Sequence, residues 1–210
     1  MGTQPRIIGV SGFMRTGKDS VAALLEEYGY TRLAFADPLR KVAADIDPTI
    51  SLVDVPEGLG LAPFDVVTYT QLIDKVGYER AKEVPDFRRF LQRLGTEGIR
   101  GNFGEGAWVD LAIKAIEAAP DGTKFVIPDV RFPNEADAIH KLGGVVWMTV
   151  RPGYGASDHP SEAEVGNIIP DVVLEAPDLY VLGVLVHRTL EIPLDKELIQ
   201  RWARRIYANA

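Results

Sequence analysis

A glycine-rich segment near the start of the chain constrains its fold more than any other feature. Residues 12–20 read G-F-M-R-T-G-K-D-S and follow directly on an apolar run at 7–10. They match G-x-x-x-x-G-K up to the lysine, in the strand-then-loop setting that this pattern requires. The apolar residues 21–25 then indicate the start of a helix. Loop N–H groups and the positive end of such a helix converge on phosphates, so the segment predicts a nucleotide-binding P-loop. The alternative is an ordinary glycine-rich turn.

Three consecutive residues at the end of this segment carry its chemistry. Lys18 is expected to reach the β- and γ-phosphates of a triphosphate. Asp19 occupies the position where Ser or Thr normally holds Mg²⁺, and Ser20 follows one place later. The residues expected to bind the nucleotide are Gly12, Phe13, Met14, Arg15, Thr16, Gly17, Lys18, Asp19 and Ser20.

Composition limits the classes of function. The 210 residues are 46% hydrophobic and 25% charged, with a net charge of −7. This acidic balance argues against nucleic acid or an anionic membrane as a partner. The absence of cysteine excludes disulfides, thiolate metal sites and a cysteine nucleophile. No secretory signal precedes the first strand, and the longest apolar run, 179–186, is too short to cross a bilayer, so a cytoplasmic location is expected.

The pattern along the chain predicts an α/β fold. Continuous apolar runs predict five mostly parallel strands, at 7–10, 30–35, 125–130, 145–150 and 171–174. Helical patterns lie between them, at 20–28, 38–44, 87–94, 108–119, 134–142 and 194–207, with Gly95 as the expected C-cap of the third. Residues 179–190 suit a strand or a helix, and a helix is favoured. We therefore expect one domain, with helices on both sheet faces, a surface excursion at about 47–85 and a lid-like loop at about 151–167.

A second candidate cluster follows the strand at 125–130. Asp129 lies at the carboxyl end of this strand, at the sheet edge where open α/β sheets bind ligands, so it is a candidate for holding Mg²⁺ or its water. Arg131 beside it suits bidentate binding of a phosphate. The alternative is a turn in which Asp129 caps the next helix. Pro128 removes a ladder hydrogen-bond donor, which predicts a kink at the strand end.

Further basic residues are candidates for a phosphate-bearing second substrate. Arg89 and Arg93 are four residues apart, with Gln92 close by and Arg100 just beyond, although a solvated basic helix face explains them equally well. Asp37 and Arg40 form a patch after the second strand. Arg151 begins the loop that also contains His159.

The ordered set G-x-x-x-x-G-K-D-[ST], F-A-D-P-L-R, L-Q-R-L-G-T-E-x-x-R, D-V-R-F-P-N-E and D-H-P-S-E resembles the bacteriophage deoxynucleoside monophosphate kinases. The resemblance implies a P-loop kinase core, ATP and Mg²⁺, a deoxynucleoside monophosphate (dNMP) acceptor, and a homodimer. The cytoplasm would be that of the host if the protein is phage-encoded. The resemblance also implies Lys18 and Asp19 at the donor phosphates, and Arg131 with the 89–100 cluster near the acceptor. We expect Lys18, Asp19 and Arg131 to be the catalytic residues. The expected Mg²⁺ site consists of Asp19 and Ser20, directly or through water, with Asp129 in support. The expected substrate-binding residues are Asp37, Arg40, Arg89, Gln92, Arg93, Arg100, Trp108, Arg131, Glu135 and Arg151.

Two other functions remain open at this point. Another P-loop small-molecule kinase, of the phosphomevalonate type, also uses G-K-D and would ignore nucleotide acceptors. A nucleotide-sensing module would bind ATP without turnover. Trp108, Tyr69 and Phe103 suit stacking on a base, but each is equally suited to the core.

Overall fold

The computed structural model describes residues 4–104, 106–155 and 164–208. They divide into two compact units: the first comprises the chain up to Phe35 and from Ala112 onward, and the second is Ala36–Leu111. The strands are β1 (Ile7–Gly12), β2 (Tyr30–Arg32), β3 (Thr49–Ser51), β4 (Val66–Thr68), β5 (Lys124–Val130), β6 (Val145–Val150) and β7 (Val172–Glu175). The α-helices are α1 (Lys18–Glu27), α2 (Asp37–Ile46), α3 (Tyr69–Val76), α4 (Tyr78–Ala81), α5 (Pro85–Gln92), α6 (Gly101–Phe103), α7 (Ala107–Glu117), α8 (Pro133–Lys141), α9 (Leu179–Thr189) and α10 (Lys196–Ala208).

A parallel sheet in the order β2-β5-β1-β6-β7 forms the centre of the first unit, which confirms the predicted five-stranded α/β fold. All six residues of β1 are buried, as expected for a central strand covered on both faces. Ile8 and Val10 lie in one core cluster with residues of α1, α9 and α10. Gly9 faces the other way, where a Cβ would lie 2.4 Å from Ile139 Cδ1 of α8. Helices therefore cover both faces.

The strand register is irregular at Pro128, where the sequence predicted a kink. Gly9 pairs with Ile127, but Ser11 pairs with Val130, so β5 contains an extra residue at this point. Proline lacks an N–H to donate, and strands tolerate it at such irregularities. The irregularity falls at Pro128 and Asp129, just before the end of β5.

The prediction that a helix ends at Gly95 was wrong. Helix α5 continues without a break into a π-helical segment, Arg93–Arg100, and then into α6. A π-helix is wider than an α-helix and is rare over more than one turn. Side chains bind its carbonyl groups: Trp108 Nε1 donates to Gly95 O (3.2 Å), and Asn102 Nδ2 donates to Gly98 O (2.7 Å) and Glu97 O (3.1 Å). These contacts, made by residues beyond the predicted end, help to hold the helix past Gly95.

The second unit has its own core around two stacked aromatic rings. Tyr69 and Phe87 are parallel with ring centroids 4.8 Å apart, and burial raises the pKa of Tyr69 to about 12. The segment predicted as a surface excursion, 47–85, contains the antiparallel pair β3–β4 and helices α3 and α4. Tyr69 belongs to the core of this unit.

The ambiguous stretch 179–190 is a helix, as favoured from the sequence. Asp178 precedes α9, and its carboxylate accepts a hydrogen bond from Val181 N (2.9 Å), which is a typical N-cap. Among the described residues, none of the helices is both long enough and apolar enough to cross a membrane.

The turn before β6 provides a test of the packing. A Cβ on Gly144 would lie 2.8 Å from Ile7 O and 2.8 Å from Ile139 Cγ2, and the backbone oxygen cannot move aside cheaply. We expect Gly144→Ala to lower the free energy of unfolding by about 1–3 kcal/mol, as overpacking does in other cores. Gly166→Ala is the control, because a Cβ there meets nothing within 4 Å. Equal urea midpoints for both variants would contradict this packing.

Candidate active site

The loop between β1 and α1 depends on two glycines. Gly12 ends β1 at φ +139°, and a Cβ there would lie 2.5 Å from both Thr149 O and Thr149 Oγ1. Gly17 precedes α1 at φ +105°, a left-handed conformation that favours glycine. A Cβ on Gly17 would also lie 2.8 Å from Leu182 Cδ2. The two glycines of the motif are therefore required by backbone conformation and by close packing.

Two buried hydroxyl groups fix the middle of the loop. Thr16 Oγ1 lies 2.8 Å from Phe13 O and 2.8 Å from Thr149 Oγ1, and Thr149 Oγ1 lies 3.2 Å from Ser11 O. Two hydroxyls have only two protons for these three contacts. The two short contacts use both protons if Thr149 donates to Thr16 and Thr16 donates to Phe13 O. This chain ties the loop to β6.

The Lys18 amine folds back over the loop. Its Nζ donates to Gly12 O (2.7 Å) and Phe13 O (2.6 Å). A positive charge therefore lies at the mouth of a loop followed by the N-terminus of a helix, where an anion is stabilised. The amine can exchange these neutral carbonyl partners for anionic phosphate oxygens.

Asp19 has a partner that the sequence analysis missed. Arg32, the last residue of β2, donates to Asp19 Oδ1 at 2.5 Å. The Asp19 side chain is 78% exposed, so it is accessible to a cation from solvent. The sequence offered no signal for this pairing, because the predicted strand runs to residue 35, whereas β2 ends at Arg32, at the ligand edge of the sheet.

The end of β5 is organised by Glu135 rather than by Asp129. Glu135 is 3% exposed, and its Oε2 accepts hydrogen bonds from Arg131 N (2.7 Å) and Phe132 N (3.1 Å) at the start of α8. Asp129 Oδ1 instead accepts from Phe35 N (3.0 Å). The N-cap position of α8 is Phe132, so Asp129 is not the N-cap residue of that helix. A substrate contact for Glu135 stays a prediction.

A cavity of about 420 Å³ opens beside the loop in the first unit. Residues 15–20 form one wall, and residues of α9 and α10 form another. Arg151 also lines it, with its guanidinium 4.6 Å from the centroid of the Tyr154 ring. The volume falls within the range of about 300–1,000 Å³ typical of small-molecule sites. Residues 156–163 of the predicted lid, including His159, lie outside the described residues.

In the second unit two of the predicted arginines, Arg89 and Arg93, line a separate cavity of about 520 Å³ together with Thr49 and Ile50. Arg89 lies 3.5 Å from Asp86, and Arg93 lies 3.5 Å from Glu97. Both side chains are largely exposed, which fits a phosphate site and a solvated face alike.

Elsewhere in this unit Arg40 pairs with Asp37 (3.1 Å), while Trp108 is 4% exposed, and its indole binds Gly95 O. Gln92 is exposed and Arg100 half-buried, both on the same continuous helix.

Comparison with known proteins identifies the family. The sequence model of the family described as "Deoxynucleotide monophosphate kinase" matches residues 45–175. A protein of Acanthamoeba polyphaga mimivirus named "Putative deoxynucleotide monophosphate kinase" is 32% identical over 193 residues, which cover 80% of this chain and 86% of that protein. The chain belongs to the deoxynucleotide monophosphate kinase family. The predicted resemblance is thereby confirmed.

One further sequence relative and one solved structure match this member of the deoxynucleotide monophosphate kinase family over different lengths. The protein of Enterobacteria phage T4 named "Deoxynucleotide monophosphate kinase" is 38% identical over 79 residues, which cover 36% of this chain and 33% of that protein. The crystal structure of TT1252 from Thermus thermophilus aligns with a TM-score of 0.45 and 19% identity. That alignment covers 90% of this chain and 96% of TT1252.

The hydroxyl chain of this family member gives a prediction for the loop. Thr149→Val removes the hydroxyl that binds Thr16 but keeps the side-chain shape. We expect ATP affinity to fall about fivefold, the equivalent of about 1 kcal/mol for one hydrogen bond, because the loop loses its tie to β6. Isothermal titration calorimetry measures this. Thr149→Ser keeps the hydroxyl and should bind ATP more tightly than Thr149→Val; the reverse order would contradict the role of the hydroxyl.

Proposed function

We propose that the protein is a deoxynucleoside monophosphate kinase that transfers the γ-phosphate of ATP to a dNMP, producing ADP and a dNDP. The observation that carries the proposal is the loop of residues 12–20, with its two constrained glycines and the Lys18 amine at its mouth. Membership of the family supports the dNMP acceptor. The acidic net charge of −7 makes a local positive site the expected place for anionic substrates.

The reaction forms a bond between an acceptor phosphate oxygen and the γ-phosphorus, and breaks the bond from that phosphorus to the β-phosphate oxygen. The acceptor oxygen is already ionised near neutral pH, so no strong general base is needed. Catalysis then consists of positioning and stabilisation of charge on the transferring group. Lys18 supplies positive charge on the donor side, and Arg131 is our candidate for the acceptor phosphate. Arg89, Gln92, Arg93 and Arg100 are further candidates.

The residues at the start of α1 fit Mg²⁺ by their donor chemistry. Mg²⁺ in phosphate-transfer sites takes one or two carboxylates, with phosphate and water oxygens completing the shell. Asp19 offers an exposed carboxylate and Ser20 a hydroxyl. Within the described ranges, no group of three or more His, Asp or Glu side chains is placed to hold a metal ion. Asp19 and Ser20 would hold the ion, with Asp129 supporting it through water, and Asp19 would then exchange its Arg32 partner for the cation. Bound Mg²⁺ would neutralise charge on the β- and γ-phosphates.

Water competes with the acceptor, so the site must exclude it before transfer. We assign this role to the loop at about 151–167, with Arg151 contacting the phosphates. We further propose a homodimer, as the family resemblance implies, and a cytoplasmic location, as expected from the sequence.

The central test is phosphoryl transfer from Mg-ATP to a panel of dNMPs and NMPs, followed by ADP release. We expect turnover with at least one dNMP. Lys18→Ala should lower kcat/KM at least about 100-fold, because it removes a charge that stabilises the transition state. Lys141→Ala, an exposed lysine at the end of α8, is the control.

Two outcomes would contradict the proposal. Turnover with no nucleotide, despite ATP binding, would favour another acceptor, such as a phosphomevalonate-type substrate, or a sensor. Near-wild-type activity of Lys18→Ala would contradict the assignment of the loop.

A second prediction concerns Arg131. We expect Arg131→Ala to reduce activity at least about 100-fold while leaving the free energy of unfolding, measured in urea, within about 0.5 kcal/mol of wild type. The fold should survive because Glu135 accepts a hydrogen bond from the backbone N–H of residue 131, and the substitution keeps that contact. A matching loss of activity and stability would instead assign Arg131 a structural role.

A further inference from the structure

The cavity beside the loop has a wall for which phosphate binding gives no explanation. Apart from residues 15–20 and Arg151, the cavity is lined by Ala176, Asp178, Leu179, Leu182, Ile206 and Tyr207, which we call the apolar wall. Five of the six side chains are apolar or aromatic and none is cationic. An apolar surface does not stabilise the charged phosphates, but it can stabilise the flat face of a nucleobase. The apolar wall therefore fits the base end of a nucleotide whose phosphates lie at the loop.

The C-terminal helix α10 contributes Ile206 and Tyr207 to this wall, and it is firmly attached to the first unit. Trp202 is 2% exposed, and its Nε1 donates to Ser20 O (3.1 Å) in the first turn of α1. Arg205 pairs with Glu27 (2.9 Å) at the other end of α1. Ile199 packs so closely against α9 that a Cβ on Gly183 would lie 2.8 Å from its Cγ2. Both ends of α1, the helix that follows the loop, thus hold α10 in place.

Tyr207 differs from the residues that attach this helix. Its side chain is 60% exposed, although it lies one turn beyond the buried Ala203 and lines the cavity. An aromatic ring held at the mouth of a cavity by a fixed helix can stack on a base with little loss of conformational freedom. Burial in the core does not account for this position.

We propose that α10 forms a wall of the subsite for the base of the phosphate donor, with Tyr207 as the residue that stacks on that base. This inference rests on the proposed function, because it takes the donor to be ATP. It adds an element about 190 residues from the glycine-rich loop in the sequence to the donor site. Tyr207 is a binding residue for the nucleoside part of the donor and takes no part in contacting its phosphates.

The test compares two ligands that share phosphates but not a base. Affinities for ATP and for inorganic triphosphate are measured by calorimetry with wild type, Tyr207→Ala, Tyr207→Phe and Lys18→Ala. We expect Tyr207→Ala to weaken ATP binding roughly tenfold, within the range for base–aromatic stacking, and to leave triphosphate binding unchanged. Tyr207→Phe should bind ATP like wild type. Lys18→Ala should weaken the binding of both ligands.

The matched control is Tyr180→Ala, which removes a part-exposed tyrosine of the adjacent helix α9 that does not line the cavity. This variant should bind both ligands like wild type. Unchanged triphosphate binding by Tyr207→Ala also shows that the variant is folded. Wild-type ATP affinity in Tyr207→Ala, or an equal loss for ATP and triphosphate, would overturn the inference while leaving the loop assignment intact. Failure of the wild-type protein to bind ATP at all would overturn both.

Discussion

The close approach of Gly12 to Thr149 is the constraint on which the rest of the site depends. A side chain on Gly12 would lie 2.5 Å from the carbonyl oxygen of Thr149, so only glycine lets β1 turn into the loop beside β6. The same Thr149 holds Thr16 through its hydroxyl, and Thr16 in turn binds Phe13 O. The loop is thus shaped by its neighbouring strand before any ligand binds, which lowers the cost of ordering it around phosphates.

Much of the fold was predictable because its determinants are local in the sequence. Buried parallel strands are short apolar runs, and the glycine-rich motif has its meaning only between a strand and a helix. Even the irregularity in β5 follows from Pro128, since proline has no N–H to donate. The helix through Gly95 was not predictable in this way. Trp108 lies 13 residues beyond Gly95, and no local rule shows that its indole reaches that carbonyl.

The candidate site likewise combines features that are local in the sequence with features that depend on tertiary contacts. The residues of the loop itself were expected, but the pairing of Asp19 with Arg32 and the position of Tyr207 arise from tertiary structure. Glu135 illustrates a different limit. Its carboxylate binds the backbone N–H groups of Arg131 and Phe132, which is a structural role. From the sequence alone, a charged residue close to a candidate catalytic arginine is equally well explained by substrate binding.

The measurement that tests the account most directly is a crystal structure with a non-hydrolysable ATP analogue and Mg²⁺. Our account predicts that the phosphates lie against the backbone N–H groups of residues 12–20. Lys18 Nζ should leave Gly12 O and Phe13 O for phosphate oxygens, while the contact between Thr16 and Thr149 is retained. An analogue bound elsewhere on the protein, with Lys18 still on the two carbonyl groups, would contradict the claim that this loop is the donor phosphate site.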